Sequence, residues 1–457
     1  MSALNLAKNI IAGAFLISAM ITAWAKLALT FDGSYYLISI LESRELLIPH
    51  NRVAVVLLTL PAQIMVRVTE DVDTTSLVFC SIYAIIPFAS ILICWLLARQ
   101  RQVELMLWPL IAIGLLSIPA QATQISENLI VCQLAWPLLF SVLISKGKLA
   151  TALNLAGAIL LAALHPVSII FLTLIATAAW LAKRKQINTA EVILITSLFL
   201  LAGVRLAFLL AIGNAYEQET LKVATLTEML RTGFSTMLIC ATGGSLALGL
   251  TQLNLAANEK ALRTKLVLSW IFGTASATMM IVWSVNLQCW YQTLHYGRFL
   301  FAPFCLLMLC AVFERVSEPD LKMATNSALA KVTLTRITLA RAILASAIAL
   351  VFLTTALVQS YQWSICTTKL SEVLMNSQER LIDMGQQHWL AATPLNHWSS
   401  VPLAIILQGR YPKTLLLTPE ARKQITKDGT FRTAPWENKF TNKYFKLPSL
   451  MTGVPSQ

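Results

Sequence analysis

An acidic residue flanked by aromatic side chains follows the first long apolar run of the chain. Segment 31–36 reads FDGSYY, so Asp32 is the acid. A carboxylate held at a membrane face beside aromatic rings is suited to act as a general base toward an acceptor hydroxyl or amine, or to contact a metal ion. Asp32 can also cap the helix that follows, a common role of aspartate at a helix start. Both interpretations stay open.

A second acid, Glu127, is the only charged residue in the short turn 123–128 between two later apolar runs. A carboxylate so close to hydrocarbon is costly unless it has a partner or a function. Glu127 is therefore a candidate second catalytic acid, metal ligand or group that orients a donor, although solvation at the membrane interface explains it equally well. If a divalent cation is bound, Asp32 and Glu127 are its candidate ligands.

Three basic side chains are candidates for binding a phosphate group. Arg298 precedes the apolar segment 299–303, and its planar guanidinium matches the oxygens of a phosphate. His295 lies three residues earlier and can share that contact. His165 lies at the turn between two apolar runs. The alternative for each of them is an ordinary contact with lipid headgroups at the membrane interface.

Several common cofactor and nucleotide sites have no counterpart in the sequence. We find no glycine-rich phosphate loop, no zinc-ligand spacing, no nucleophile elbow and no nucleotide-binding fingerprint. No cofactor is therefore predicted beyond the divalent cation considered above.

The composition indicates which elements must position these residues. Apolar residues make up 57% of the 457 residues, charged residues only 12%, and the mean hydropathy is +0.68. Because a helix needs roughly 20 residues to cross a bilayer core, the apolar windows predict an all-α polytopic membrane protein with about eleven transmembrane helices. The predicted spans are 9–30, 77–98, 105–122, 129–145, 149–164, 167–182, 191–212, 233–250, 266–286, 299–315 and 342–360.

The basic residues predict the orientation of these spans. With a cytoplasmic N-terminus, the cytoplasmic segments hold sixteen Lys and Arg and the outer loops six, as expected for a multi-pass protein of the inner (plasma) membrane. Counting residues 52–68 as a span would invert every later loop, so we predict an amphipathic helix there, within a first outer loop at 31–76. The net charge of +13 is spread over loops, which argues against a nucleic-acid partner.

The chain divides into a transmembrane module, residues 1–360, and an extracytoplasmic C-terminal domain, residues 361–457, of polar composition. Alternation of apolar residues predicts a small α/β domain there. Its predicted elements are a helix at 368–384 and short strands at 401–407 and 414–418. Cys289 and Cys366 both fall in segments placed outside, where oxidising conditions would permit a disulfide.

Taken together, these features resemble the GT-C superfamily of membrane glycosyltransferases, especially the branch of protein O-mannosyltransferases and aminoarabinose transferases. The resemblance rests on an acid after the first span (Asp32), amphipathic helices in a long first loop (51–67) and an acid in a short loop (Glu127). It also rests on an Arg-aromatic-Leu entry to a late span that ends in proline (298–303) and on an outward C-terminal domain.

The resemblance implies a function and a set of roles. A sugar would move from a polyprenyl-phosphate donor to a lipid, glycan or protein acceptor outside the cytoplasm. Because phosphate is a good leaving group, no covalent intermediate is required, and we expect inversion at the sugar carbon. Asp32 would be the base, Glu127 a supporting acid or metal contact, and His295 with Arg298 the residues that hold the donor phosphate. Gly33 departs from the family, in which a second acid often follows the first.

Other classes of membrane protein remain alternatives. A transporter or lipid flippase should contain related halves or charges deep in its spans, and the sequence has no internal repeat. A polysaccharide polymerase or ligase generally has its large outer loop between late spans, whereas here the longest outer segments are the first loop and the tail. A non-catalytic membrane assembly subunit is the third alternative, and Gly33 is the residue that favours it.

Overall fold

The computed structural model describes residues 3–43, 48, 52–98, 102–184, 187–212, 243, 271, 274–275, 277–287, 290, 300–324, 328–419, 431 and 444–447. Most of these residues are helical. The helices are α1 Ala3–Trp24, α2 Asp32–Ser43, α3 Val55–Val68, α4 Val72–Leu97, α5 Gln102–Ile111, α6 Glu127–Ile144, α7 Lys148–Leu164, α8 Ser168–Lys183, α9 Thr189–Ile212, α10 Phe301–Ala324, α11 Ala328–Asn376 and α12 Ser400–Gln408.

Short elements connect some of these helices. Leu27–Leu29 is a 3-10 turn between α1 and α2, and a π-helical turn at Ala112–Leu116 followed by a 3-10 segment at Ile118–Thr123 leads from α5 toward α6. Two further 3-10 turns, Met384–Gln386 and His388–Ala392, follow the first strand. The strands β1 Leu381–Asp383 and β2 Leu415–Leu417 pair in parallel, with Leu381 opposite Leu415.

Within the described residues, five helices are long and apolar enough to cross a membrane. They comprise α1, α4, α6, α9 and the part of α11 from Arg341 onward, while α3, α7, α8 and the segment 105–116 are apolar but shorter. This set of helices is consistent with an all-α membrane protein. All of the predicted span at 233–250 except residue 243, and eight of the 21 residues of the one at 266–286, lie outside the described residues.

The helices form one bundle with α6 at its centre. In the apolar segment of α6, 78% of residues are buried, against 33–50% in the other four long helices. Around it, α1 packs against α4 and α11, and α6 contacts α4, α7, α8 and α10. Since successive helices alternate in direction, the end of α1 and the starts of α4 and α6 meet at one end of the bundle, here called the α2 end.

The tail differs in part from its predicted structure. Segment 401–407 forms helix α12 instead of the predicted strand, because a short apolar run has the composition of a buried strand and of a buried helix alike. The predicted strand at 414–418 is confirmed as β2. Helix α11 continues without a break through residue 361 and ends at Asn376. The segment 368–384, predicted as one helix, therefore comprises the last turns of α11, then β1 and the start of a 3-10 turn.

Candidate functional site

A buried cluster at the α2 end centres on Glu127, the first residue of α6. Its Oε1 accepts a hydrogen bond from the Tyr36 hydroxyl at 2.8 Å, and its Oε2 pairs with Nη1 of Arg52 at 2.9 Å. All three residues are buried. Tyr36 belongs to α2, and Arg52 precedes α3 by three residues, so the cluster joins the α2–α3 region to the start of α6, at least 75 residues further along the chain.

The cluster is a buried ion pair with a third, neutral donor. Removing two charges from water is expensive, and close geometry with further hydrogen bonds is needed to offset that cost. Burial raises the pKa of Tyr36 well above its usual value, and the neighbouring Glu127 carboxylate raises it further. The phenol therefore stays protonated and remains the donor in this bond. Both Glu127 oxygens are thus engaged by protein groups.

Asp32 lies one helical turn before Tyr36, in the first turn of α2. Residues four apart share a face of a helix, and the Asp32 charge contributes to the raised pKa of Tyr36. Glu127 therefore contacts the Tyr36 phenol directly, and Asp32 influences it electrostatically from the same helix. Unlike Glu127, Asp32 is only partly buried. Its place in the first turn also brings it the stabilisation that a helix N-terminus gives to a negative charge.

The glycine after Asp32 has a steric explanation. A Cβ atom at Gly33 would overlap the carbonyl oxygen of Ala28, which belongs to the 3-10 turn before α2. The turn is tight, since Phe31 has a φ of 49° and the Gly33 amide donates to the Thr30 carbonyl at 3.1 Å. No larger side chain, acidic or otherwise, fits at position 33 with this backbone.

The tail covers the start of α2. The Ser34 hydroxyl donates to the Ser399 carbonyl at 2.8 Å. The rings of Phe31 and His397 meet edge to face at 5.3 Å between centroids, and Tyr35 meets Trp398 in the same way at 5.7 Å. Segment 397–399 therefore contacts residues on both sides of Asp32.

The structure adds Arg52 and His397 to the candidate residues. In the sequence, Arg52 is one of the six Lys and Arg of the outer loops and His397 lies in the tail, and no linear signal links either residue to Glu127 or Asp32. Both are brought into place by long-range packing. Arg52 is 75 residues away from Glu127 in the chain.

His165 lies in the turn between α7 and α8, as predicted, and its Nδ1 accepts a hydrogen bond from the Val167 amide at 3.2 Å. The Ala54 amide donates to the Ala163 carbonyl at 3.4 Å. The His165 turn is therefore held against the segment that carries Arg52. The other two predicted phosphate contacts, His295 and Arg298, lie outside the described residues, as does Cys289, while Cys366 is buried.

The described residues fit a divalent cation poorly. No group of three or more His, Cys, Asp or Glu side chains among them could hold a metal ion. The two oxygens of Glu127 already bind Tyr36 and Arg52. We therefore assign no metal-binding role to Glu127.

Comparison of the chain with protein-family models, with curated proteins and with solved structures gave no match. The geometry of the α2 end is therefore the main basis for a functional assignment.

Proposed function

We propose that the chain is a membrane glycosyltransferase that moves a sugar from a polyprenyl-phosphate donor to a lipid, glycan or protein acceptor outside the cytoplasm. The observation that carries the proposal is the pair of carboxylates around Tyr36: one locked in a buried ion pair and one partly accessible at a helix N-terminus. A general base must lie where a substrate can reach it, and the Glu127 ion pair beside it helps to fix the helix that carries Asp32.

In this proposal Asp32 is the base. The acceptor hydroxyl oxygen attacks the anomeric carbon, the bond from that carbon to the phosphate oxygen breaks, and Asp32 takes the hydroxyl proton. Positive charge develops on the sugar and negative charge on the phosphate, so a fixed cation near the phosphate stabilises the transition state. His165, His295 and Arg298 are the residues proposed to contact the phosphate. Attack from the face opposite the phosphate inverts the sugar carbon.

Glu127 has a different proposed role from Asp32. Because Arg52 neutralises its charge and Tyr36 occupies its other oxygen, it is unsuited to accept a proton from an acceptor. We assign it, with Arg52, to holding α2 in place, so that Asp32 sits in a fixed position. The steric requirement for glycine at position 33 removes the feature that favoured a degenerate, non-catalytic site.

We propose eleven spans in the inner membrane, with the N-terminus in the cytoplasm and the α2 end and tail outside. Two structural features support this orientation. Lys183 pairs with Glu191 at 3.0 Å at the opposite end of the bundle, and Lys146 contributes to the same electrostatic cluster, as expected for cationic cytoplasmic turns. At the α2 end, helix α3 has a stripe of exposed apolar side chains suited to a membrane surface: Leu57, Leu60, Ile64 and Val68.

The proposal is tested by mass spectrometry of cell-envelope glycans and lipids from cells with and without the gene. We expect one glycan or lipid species to lose a sugar in the deletion strain. Complementation with the wild-type gene should restore the sugar, and complementation with Asp32→Asn at equal membrane abundance should not. An unchanged glycan and lipid profile in the deletion strain would contradict the proposal.

A further inference from the structure

A cavity of about 20 Å³ lies inside the bundle between α1, α4, α6, α11 and the segment that leads into α6. It lies near the start of α6, since Gln124 and Leu129 in its wall are three residues before and two residues after Glu127 in the chain. None of the described residues that line it is charged, and six of them are polar: Ser18, Thr22, Tyr83, Gln121, Gln124 and Gln133.

Three of these polar side chains carry atoms that no protein group satisfies. Within the described part of the chain, Oη of Tyr83, both Nε2 and Oε1 of Gln121, and Oε1 of Gln124 have no hydrogen-bond partner. The exposed fractions of the three residues are 2%, 4% and 9%, so bulk water does not reach them. Burial of such groups without a partner is strongly unfavourable, and in a membrane-embedded bundle lipid supplies none.

The two hydroxyl groups that α1 contributes to the cavity wall, unlike the atoms above, have hydrogen-bond partners within the protein. Ser18 donates to the Ala14 carbonyl at 2.7 Å and Thr22 to the Ser18 carbonyl at 2.9 Å. The unsatisfied atoms are therefore confined to the side of the cavity formed by α4 and the segment before α6. They comprise donors, from Tyr83 and the Gln121 amide nitrogen, and acceptors, the carbonyl oxygens of Gln121 and Gln124.

We propose that this cavity is a binding site for ordered water. A cation would satisfy the carbonyl oxygens but repel the donors, and an anion would do the reverse. An alcohol group has one proton to offer two carbonyl oxygens and brings a carbon skeleton. Water has two donors and two acceptors. A cavity of about 20 Å³ also has room for one such molecule, since the centre of a bound water needs roughly 10–15 Å³ of free volume.

The position of the site gives the water a structural role. Gln121 and Gln124 belong to the segment that ends at Glu127, whereas Tyr83 belongs to α4. A water that bridges them joins α4 to the segment that fixes the start of α6. It therefore contributes to the position of Glu127 without touching it. This inference is independent of the proposed function.

The test is a double-mutant cycle on the thermal unfolding of the full-length protein in detergent. Tyr83→Phe removes one oxygen and Gln121→Leu removes the amide, and these two groups are not in direct hydrogen-bond contact. We expect Tyr83→Phe to lower the unfolding temperature by several degrees in the wild type and by much less in the Gln121→Leu background, because the bridging water has already been lost.

The matched control is Gln63→Leu in α3, which also removes a buried glutamine but lies outside the cavity. In that background the effect of Tyr83→Phe should be the full wild-type shift. Equal shifts of Tyr83→Phe in the wild-type, Gln63→Leu and Gln121→Leu backgrounds would overturn the proposal.

A second measurement is an experimental density map at a resolution that shows ordered waters. We expect a single peak within hydrogen-bond distance of Tyr83 Oη and of the side-chain amides of Gln121 and Gln124, and its loss in Gln121→Leu. A clear map without this peak would overturn the proposal. A stabilisation of the wild type by added free hexose that Gln121→Leu abolishes would also overturn it, in favour of a carbohydrate subsite.

Discussion

Two glutamates in the described bundle have nearly the same surroundings, at opposite ends. At the α2 end, Glu127 binds Arg52 through one oxygen and Tyr36 through the other. At the far end, Glu314 of α10 binds Arg341 at 2.6 Å and the Trp108 indole nitrogen at 2.5 Å. Each cluster combines one carboxylate, one guanidinium and one aromatic donor, and each joins three elements.

The surroundings of the two clusters differ in what lies beside them. Glu127 has a second, partly accessible carboxylate nearby, Asp32, a covering segment from the tail and a polar cavity behind it. Glu314 ties α5, α10 and α11 together through Trp108 and Arg341. An ion pair between helices is by itself insufficient evidence of a site. We assign the site to the α2 end because Asp32, the covering tail segment and the cavity lie there.

The largest expected effect comes from removing the cation at the α2 end. Arg52→Met leaves Glu127 buried without its counter-charge, so we expect a loss of about 3–5 kcal/mol of stability and loss of sugar transfer. The measurements are thermal unfolding and transfer by the purified protein. The double variant Arg52→Met with Glu127→Gln should recover most of the stability. If a folded Arg52→Met protein transferred sugar at the wild-type rate, the Glu127 cluster would be no more important for the reaction than the Glu314 cluster.

At the far end, the matching change separates stability from activity. Arg341→Met leaves Glu314 without its cation and should also destabilise the protein, but by less than Arg52→Met, because the Glu314 side chain is 21% exposed and water solvates part of its charge. Transfer per folded molecule should stay within about twofold of the wild type, because the cluster lies at the opposite end of the bundle from Asp32. Activity should be normalised to the fraction of protein that elutes as a monodisperse species. A large loss after that normalisation would indicate that both ends serve the reaction.

Removing the aromatic hydrogen-bond donor of each glutamate should have a smaller effect on stability than removing its arginine. Tyr36→Phe and Trp108→Phe each delete one hydrogen bond to a charged carboxylate, a loss of about 1.5–3 kcal/mol. We expect Tyr36→Phe to lower transfer as well, since Tyr36 bonds Glu127 and lies one helical turn after Asp32. Trp108→Phe should affect unfolding alone. Equal effects of the two variants on transfer would show that Tyr36 acts only through stability.

Much of the helical framework could be predicted from the sequence, since long apolar runs predict α1, α4, α6, α9 and the apolar part of α11. Asp32 and Glu127 were also predicted, because an isolated acid at the edge of an apolar run is conspicuous. The partners of Glu127 could not be predicted, since tertiary packing alone brings Arg52 to it. In the sequence Gly33 stands where the resemblance expects an acid, and the structure gives this glycine a steric reason, the approach of the Ala28 backbone.

The smallest expected effect concerns the C-terminal anchor of α2. Glu42 is buried, and its Oε1 accepts hydrogen bonds from the amides of Tyr444 at 3.2 Å and Phe445 at 2.8 Å. Glu42→Gln keeps an acceptor oxygen but removes the charge, so we expect a loss of about 1 kcal/mol. Transfer should fall only slightly, as α2 keeps its bonds to Glu127 and Ser399. Thermal unfolding and limited proteolysis of the tail would check this, and a gain in stability would contradict it.

The most direct test of the assignment is the rate of sugar transfer by purified Asp32→Asn protein, measured beside the wild type and Arg341→Met at saturating donor. A general base contributes roughly 10²–10⁴-fold to a rate, so the Asp32→Asn rate should fall by at least about a hundredfold while its unfolding temperature stays close to that of the wild type. Arg341→Met should show the opposite pattern. Wild-type transfer by Asp32→Asn would contradict the placement of the reaction at the α2 end.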